Sequence, residues 1–208
     1  MYSPVVNNWR IAWHGDYDGT DQIYGASVLV PAPEQRLSDG SDEPRRSPQL
    51  SGDSVFWFEG IGVNYIRYGI RRYDFLTHVE SVVAPTSKPV FLAASGHRLV
   101  WTHFLGLAWI VPISTIRALD LSTGAEWQVA DMGLYGSISM AGDFAAWIAS
   151  DEGRPVVLGV DFTDGEVRKL TWHPNTNVLE PSVSHEWVVW PDSRGGPGFQ
   201  LYAMPRNQ

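Results

Sequence analysis

The stretch QLSGDSVFWFEG, from Gln49 to Gly60, decides the fold. A short segment leads into a Gly-Asp turn, and an apolar run containing Trp57 follows. Four other stretches have the same plan: VVNNWRIAWHG from Val5, LAASGHRLVWTHF from Leu92, ISMAGDFAAWIAS from Ile138 and SVSHEWVVWPDS from Ser182. The shared tryptophans follow one another at intervals of 44, 44, 46 and 43 residues: Trp13, Trp57, Trp101, Trp147 and Trp190. So narrow a spacing indicates an internal repeat.

The remainder of each period predicts two further strands. A polar loop follows the tryptophan, then a third apolar run, and three of these runs end in an aspartate-headed turn: Asp74 to Thr77, Asp120 to Gly124 and Asp161 to Gly165. Asp, Thr and Gly close tight turns through local hydrogen bonds and positive φ angles. A fourth short run follows, such as VESVVA from Val79. Four strands in a period of this length are typical of a β-propeller blade.

The sequence therefore predicts an all-β fold, a β-propeller of five four-stranded blades of about 44 residues with a short last blade. We expect one domain over residues 1–208, with blades at approximately 5–46, 47–88, 89–133, 134–180 and 181–208. The fifth unit lacks a fourth strand, which leaves three options: a short blade, a ring completed by another copy, or a fragment of a larger ring. An open sheet edge promotes association, but a five-bladed single chain is favoured.

The repeat tryptophans are predicted to pack between blades. Val55, Trp57 and Glu59 share one face of their strand, and Phe56 and Phe58 share the other. Both faces are apolar, as expected when each sheet is stacked between two others. Packing is therefore favoured over ligand stacking for these indoles.

Composition excludes several classes of function. The net charge is -8, with 23 acidic residues against 15 basic ones and only two lysines, Lys88 and Lys169. That balance argues against nucleic-acid and anionic-membrane partners. The absence of cysteine excludes disulfides, thiolate metal sites and a cysteine nucleophile.

Targeting signals do not decide the compartment. The sequence predicts no membrane span, because no apolar run approaches about 18–20 residues. The first residues, MYSPVVNNW, lack the basic and apolar regions of a secretory signal. Two compartments therefore stay open: the cytoplasm, or the periplasm or extracellular space if a signal was removed.

Four segments together resemble the TolB-type propeller repeat, in its tryptophan-rich variants. They are SPQLSGDSVFW (Ser47 to Trp57), the pair Ile23-Tyr24, DLSTG (Asp120 to Gly124) and LTWHPNTNVLEPSVS (Leu170 to Ser184). The resemblance covers essentially the whole chain, although the turn reads Gly-Asp where the family commonly has Asp-Gly. It implies a binding scaffold, since members serve as protein-interaction platforms, envelope components or accessory domains of peptidases. It does not imply an enzyme.

The predicted binding face carries the loops between strands two and three, the loops between blades and the central channel. Glu59, His103 and Asp192 each stand two positions after a repeat tryptophan, so a propeller would bring them round the rim of this face. Such a set could bind a metal or perform acid–base chemistry. The alternative is that these strand ends simply meet water.

Two further groups are candidates. Asp16, Asp18 and Asp21 have the alternating acidic spacing of calcium loops, but Asp-Gly in a hairpin favours a plain turn. Tyr135, Trp172 and His173, on inter-blade loops, could form an aromatic platform for a sugar or peptide, the alternative being that Trp172 only caps the rim of its own blade.

The predicted function is a non-catalytic binding scaffold for a protein or carbohydrate partner, with no cofactor other than a possible calcium ion. No nucleophile elbow, phosphate loop, dinucleotide fingerprint or HExxH motif is present. Two alternatives stay open. One is a glycoside hydrolase using Glu59 and Asp192 as channel carboxylates, which must lie about 5–10 Å apart. The other is a self-assembling unit that closes its ring through another copy.

Overall fold

A computed structural model describes residues 4–16, 19–29, 33–39, 44–61, 67–86, 89–108, 111–132, 136–172 and 177–206. Within these ranges every regular element is a β-strand. None of the residues described belongs to a helix long and apolar enough to cross a membrane. The chain divides into two compact units, residues 1–94 and 95–208.

Two antiparallel sheets make up most of the first unit. The first contains β1 (Val5–Val6), β2 (Arg10–Asp16), β3 (Asp21–Ser27) and β4 (Gln35–Arg36), in that order across the sheet. The second contains β5 (Arg45–Ser51), β6 (Ser54–Ile61), β7 (Arg67–Asp74) and β8 (Val79–Thr86), also in chain order. Each sheet is thus a meander of four strands.

Three more sheets follow along the chain. The third contains β9 (Pro89–Ser95), β10 (Arg98–Ala108), β11 (Val111–Asp120) and β12 (Glu126–Met132). The fourth contains β13 (Ile138–Ala141), β14 (Phe144–Asp151), β15 (Arg154–Asp161) and β16 (Val167–Lys169). The fifth contains β17 (Ser182–Val183), β18 (Trp187–Asp192) and β19 (Gln200–Pro205). These sheets confirm the predicted architecture of four-stranded blades with a shorter fifth.

Tight turns join the first two strands of the middle blades. Gly52, Gly96 and Gly142 have φ angles of 55°, 56° and 58°, a region that a residue with a Cβ atom enters only at a cost. Each is the first residue of a two-residue turn. The backbone therefore favours glycine at this point of the repeat.

The predicted aspartate-headed turns are also confirmed. Asp74 Oδ1 accepts hydrogen bonds from the backbone N–H groups of Leu76 and Thr77, both at 3.0 Å. Asp120 and Asp161 make the same kind of contact to residues two positions further on, at 2.8 and 2.9 Å. Each carboxylate closes the turn after the third strand of its blade.

Two core clusters lie between adjacent blades, and the same faces meet in both. We call the sheet face that carries the repeat tryptophan the Trp face and the other the opposite face. In the first unit, Val55 and Trp57 on the second blade's Trp face share one core cluster with Ala12 on the first blade's opposite face. In the second unit, Trp190 on the fifth blade's Trp face packs with Ala146 on the fourth blade's opposite face.

Burial confirms the packing role predicted for most of the repeat tryptophans. Trp57, Trp101 and Trp147 are 0% exposed and Trp190 is 3% exposed. Trp13 is only half-buried, stacked against Tyr24 with ring centroids 6.2 Å apart.

Candidate ligand-binding site

A cavity of about 170 Å³ lies at the tip of the β14–β15 hairpin in the fourth blade. Its lining residues come from the β14–β15 hairpin, from the end of β16 and from the segment that follows β16: Asp151, Glu152, Arg154, Pro155, Val156, Lys169 and Trp172. The structure therefore brings together the two kinds of loop that the sequence places on one face.

The hairpin tip has a constrained backbone. Asp151 and Arg154 are register partners, and the two residues between them, Glu152 and Gly153, have φ angles of 51° and 79°. Positive φ at both positions is the feature of the two-residue hairpin turn that matches strand twist. Opposite charges thus flank the mouth of the cavity on a short, constrained turn.

Trp172 is a solvent-exposed indole on an anchored backbone. Its ring is 68% exposed, whereas Leu170 and Thr171 are each 3% exposed. Leu170 donates its N–H to the Val157 carbonyl at 2.8 Å, and Val157 donates its N–H to Thr171 Oγ1 at 3.1 Å. The chain is bound to β15 immediately before Trp172, so the backbone holds this exposed apolar ring beside the cavity.

The charges that line this cavity are balanced. Asp151 and Glu152 carry negative charge, and Arg154 and Lys169 carry positive charge. Lys169 Nζ lies 2.5 Å from Asp151 Oδ2, and both side chains are largely solvated. An exposed pair of this kind contributes only about 0–1 kcal/mol, so ligand hydroxyls can replace its contacts at little cost. Donors, acceptors and an aromatic face without net charge suit a neutral polar ligand.

Sequence reasoning identified part of this site. It singled out Trp172 and placed the loop containing Asp151 and Arg154 on the binding face. It missed Lys169, whose only sequence signal was the rarity of lysine in the chain. Tyr135 and His173 lie outside the described residues, so their predicted part in an aromatic platform stays a prediction.

Glu59 lies in a buried network of ion pairs in the first unit. It is 2% exposed, and Arg45 Nη2 donates to its Oε1 at 2.7 Å. Arg71 Nε donates to its Oε2 at 2.5 Å. Both carboxylate oxygens therefore have a guanidinium partner. The alternative prediction, that Glu59 is a solvent-exposed strand end, is wrong.

Arg45 joins this network to the first blade. It is 0% exposed, and its Nη1 donates to Gln22 Oε1 at 2.9 Å. Ser38 Oγ donates to the same Gln22 oxygen at 2.6 Å. Arg45 also pairs with Asp39. A buried guanidinium needs such partners because desolvation of an unpaired charge is costly.

Three carboxylates of this network are close enough to hold a cation. Oxygens of Asp39, Glu59 and Glu80 lie within 4.8 Å of one another. Burial raises the pKa of Glu80, and the negative charge of Asp39 raises it further. Arg45 and Arg71 already supply two positive charges to this cluster. We therefore interpret the three carboxylates as part of an internal salt-bridge network.

Asp192 is enclosed at the end of β18 in the second unit. It is 0% exposed and accepts hydrogen bonds from Arg194 Nε at 2.6 Å, the Arg194 backbone N–H at 2.9 Å and Trp190 Nε1 at 3.2 Å. Burial alone would raise the pKa of Asp192, but these hydrogen bonds outweigh it and lower the pKa. Asp192 is therefore an ionised carboxylate that fixes the turn after its strand.

His103 lies on β10 and is half-buried. Partial burial lowers its pKa, and the positive charge of Arg117 lowers it further, while Glu126 opposes the shift. The imidazole is thus neutral at pH 7, and its strand position is the one the repeat predicted. Its predicted convergence with Glu59 and Asp192 on one rim stays a prediction.

Two of the three aspartates of the predicted calcium loop have protein partners. Asp16 Oδ1 accepts the Gly19 N–H at 2.7 Å, and Asp21 Oδ2 lies 2.7 Å from Arg46 Nε. Asp18 lies outside the described residues. Turn closure and an ion pair account for the two described carboxylates, and calcium binding stays a prediction.

The sheets and their order define the class of this protein as a β-propeller. Solved structures with the same fold include TolB from Acinetobacter baumannii, which is 16% identical with a TM-score of 0.64; the match covers 96% of this chain and 51% of that one. The fold is therefore a TolB-like β-propeller.

Propeller enzymes share the same architecture. A prolyl endopeptidase is 13% identical with a TM-score of 0.71, over 99% of this chain and 34% of that one. An oligogalacturonate lyase in complex with manganese is 16% identical with a TM-score of 0.61, over 95% of this chain and 60% of that one. This chain spans less than two thirds of the length of each of these three proteins. No protein-family model and no curated protein matches the sequence.

Proposed function

We propose that this chain is a non-catalytic binding module whose fourth-blade cavity takes a carbohydrate. The observation that carries the proposal is Trp172, an indole 68% exposed beside a cavity of about 170 Å³. A large apolar ring held in water by a fixed backbone gains free energy when a ligand covers it.

A carbohydrate fits this surface better than a flat aromatic or a charged ligand. The C–H groups on one side of a sugar ring cover an indole, while its hydroxyls exchange hydrogen bonds with mixed donors and acceptors. Asp151, Arg154 and Lys169 offer both kinds of partner without net charge. The cavity is smaller than the roughly 300–1,000 Å³ typical of sites for drug-sized ligands, so we expect it to hold one ring of a longer chain.

The structural neighbours are compatible with this proposal. One of them is an enzyme named for oligogalacturonate, so this fold accommodates an oligosaccharide in at least one protein. The resemblance to TolB-type repeats implies a binding scaffold, and a protein partner on the same loop face remains the alternative occupant.

The described contacts argue against the glycosidase alternative at Glu59 and Asp192. A general acid must hold its proton near neutral pH, and such a carboxyl has a raised pKa. The pKa of Asp192 is lowered, and both oxygens of Glu59 accept from guanidinium groups. These contacts favour structural roles for both residues.

The test measures binding of neutral and acidic oligosaccharides, oligogalacturonate among them, by calorimetry. The variants are Trp172→Ala and, as a matched control, Trp9→Ala, which removes an indole 49% exposed in the other unit. We expect Trp172→Ala to weaken binding at least about tenfold, equivalent to about 1.4 kcal/mol, with Trp9→Ala unchanged.

Three results would contradict the proposal. Binding that survives Trp172→Ala would place the ligand elsewhere on the chain. If no oligosaccharide binds and a protein is captured through Trp172, the loop face binds a protein partner. Activity on a sugar that Glu59→Gln and Asp192→Asn abolish would restore the enzyme alternative.

A further inference from the structure

A second cavity, of about 110 Å³, lies between the first and second blades, inside the first unit. Its polar lining comes from Arg10, Ser27 and Gln35 on the first blade and from His78 in the turn after β7. None of the described residues that line it is acidic. The volume is several times the roughly 10–15 Å³ that one water molecule needs, so the cavity can admit a small ligand.

Arg10 places a positive charge in the wall of this cavity. It is half-buried, and the central carbon of its guanidinium lies 4.7 Å from the centroid of the Phe75 ring. A cation stacked on a ring uses the face of its planar group, whereas its N–H groups point outward in the plane. The Nε atom is buried, and no described residue accepts a hydrogen bond from it. Stacking on Phe75 therefore leaves one donor of Arg10 without an acceptor.

The second unit contains the equivalent contact. Arg10 and Arg98 each stand three positions before a repeat tryptophan, and Arg98 is stacked on Phe162 at 5.1 Å from the ring centroid. Phe75 and Phe162 are also equivalent, because each donates its N–H at 2.8 Å to the carbonyl of the aspartate in the Gly-Asp turn of its own blade. The repeat thus provides two versions of one arginine–phenylalanine contact between blades.

The two versions differ in the acceptor of the arginine Nε. Arg98 Nε donates to Asp143 Oδ1 at 2.8 Å, so stacking and pairing with a carboxylate are compatible on one guanidinium. Asp53 stands at the corresponding position of the second blade's Gly-Asp turn, but Arg10 Nε does not donate to it. The first unit therefore has the arginine and the ring of this contact without the carboxylate, and it has a cavity beside the arginine.

We propose that this cavity binds the carboxylate group of a small organic acid, with Arg10 as its hydrogen-bonding partner. A guanidinium can bind a carboxylate through two parallel N–H···O bonds, and such charge-assisted bonds are the stronger ones. Gln35 Nε2 donates to the Tyr73 hydroxyl at 3.1 Å, and His78 Nδ1 shares a hydrogen bond with the same hydroxyl at 3.0 Å. Hydrogen bonds thus link the other polar side chains of the site. The site does not depend on the carbohydrate proposal for the fourth blade.

The test is a titration with acetate, which replaces chloride at constant ionic strength, followed by nuclear magnetic resonance. We expect the Nε–H signal of Arg10 to shift saturably in the wild-type chain, because the carboxylate becomes its acceptor. The Nε–H signal of Arg98 is an internal control and should not shift, because Asp143 already accepts from it. Arg10→Gln and Arg98→Gln assign the two signals.

Two substitutions test the position of the ligand through the backbone amide signal of Ala26, which lines the cavity. Arg10→Gln should raise the dissociation constant of acetate at least about tenfold, because a hydrogen bond to a charged group contributes about that factor or more. Ser27→Asp should abolish acetate binding, because Ser27 is the register partner of Arg10 and an aspartate there supplies an internal carboxylate. Ser81→Asp is the matched control. It adds the same charge at an exposed position of β8 outside the cavity lining and should leave binding unchanged.

Four outcomes would overturn the proposal. An Arg10 signal that does not shift, or that shifts linearly together with the Arg98 signal, means that acetate occupies no site here. Acetate binding that Arg10→Gln retains would place the carboxylate elsewhere, and binding that Ser27→Asp retains would exclude it from the space beside Arg10. Tighter binding of inorganic phosphate than of acetate in the same titration would make this a phosphate site. Circular dichroism confirms that each variant is folded.

Discussion

Trp147 shows what a single residue contributes to this repeat. Its indole is 0% exposed, and it stands opposite Ile138 and Leu158 across its two neighbouring strands. Trp9 lies in the turn before β2 and is 49% exposed. Two tryptophans in one chain therefore have very different apolar areas removed from water.

Replacing the buried one should destabilise the fold strongly. We expect Trp147→Ala to lower the free energy of unfolding by about 3–5 kcal/mol, because the lost burial is compounded by the cavity that remains. Urea titration followed by circular dichroism measures the change. Trp9→Ala should stay within about 0.5 kcal/mol of wild type; an equal effect at the two positions would contradict the packing role of Trp147.

At the scale of single residues, the sequence predicted the packing of side chains well and their ion pairs poorly. The regular spacing of the repeat tryptophans marks the second strand of each blade, so the burial of four of them could be predicted from the sequence. The partners of Glu59 could not be predicted in this way. Arg45 contacts Glu59 as its register partner on the neighbouring strand. The β5–β6 register shifts between Arg46 and Gln49, and Ser47 has a φ of 56°, a bulge that the repeat pattern does not contain.

At the scale of elements, the aspartate-headed turns give the blades their regular hairpins. Asp161 Oδ1 accepts the Thr163 N–H at 2.9 Å and the Thr163 hydroxyl at 2.6 Å, while Gly165 donates its N–H to the Asp161 carbonyl at 2.8 Å. These bonds are local, which is why the sequence predicted the turns correctly.

The side-chain oxygen should be the part of Asp161 that matters. Asp161→Ala removes the acceptor, and we expect a loss of about 1 kcal/mol of stability. Asp161→Asn retains an oxygen at the same place and should lose less. The urea midpoints of the two variants provide the comparison, and equal losses would show that charge rather than turn closure is what Asp161 contributes.

At the scale of the whole molecule, several carboxylates couple folding to pH. Hydrogen bonds within their turns lower the pKa of Asp74 and Asp120. At Asp161 and Asp192 burial opposes the hydrogen bonds, but the pKa is lowered there too. A carboxylate with a lowered pKa in the folded state stabilises the fold above its unfolded pKa, and that stability is lost as the pH falls through the folded value.

We therefore expect the melting temperature to fall with pH below about 4, the ordinary pKa range of aspartate. Thermal denaturation between pH 7 and pH 3 measures the change in melting temperature.

Glu80 has a raised pKa, so its ionisation costs stability as the pH rises, and Glu80→Gln should reduce that cost. Asp192→Asn should be less stable at pH 7 and lose less on acidification; an acid response as steep as wild type would contradict the role assigned to Asp192.

The architecture was predictable at this scale because five copies of one pattern report the same structure. The fourth-blade cavity was predictable only in outline, since its lining depends on how Lys169 and Trp172 approach the β14–β15 hairpin.

The repeated meeting of a Trp face with an opposite face also bears on how such a chain can change in length. Because the same two surfaces meet at both core clusters, duplication or deletion of one period creates no new type of contact, as in other repeat proteins stabilised by nearest neighbours. We therefore expect the number of blades to change in evolution by gain or loss of whole periods, while the loops diverge in sequence.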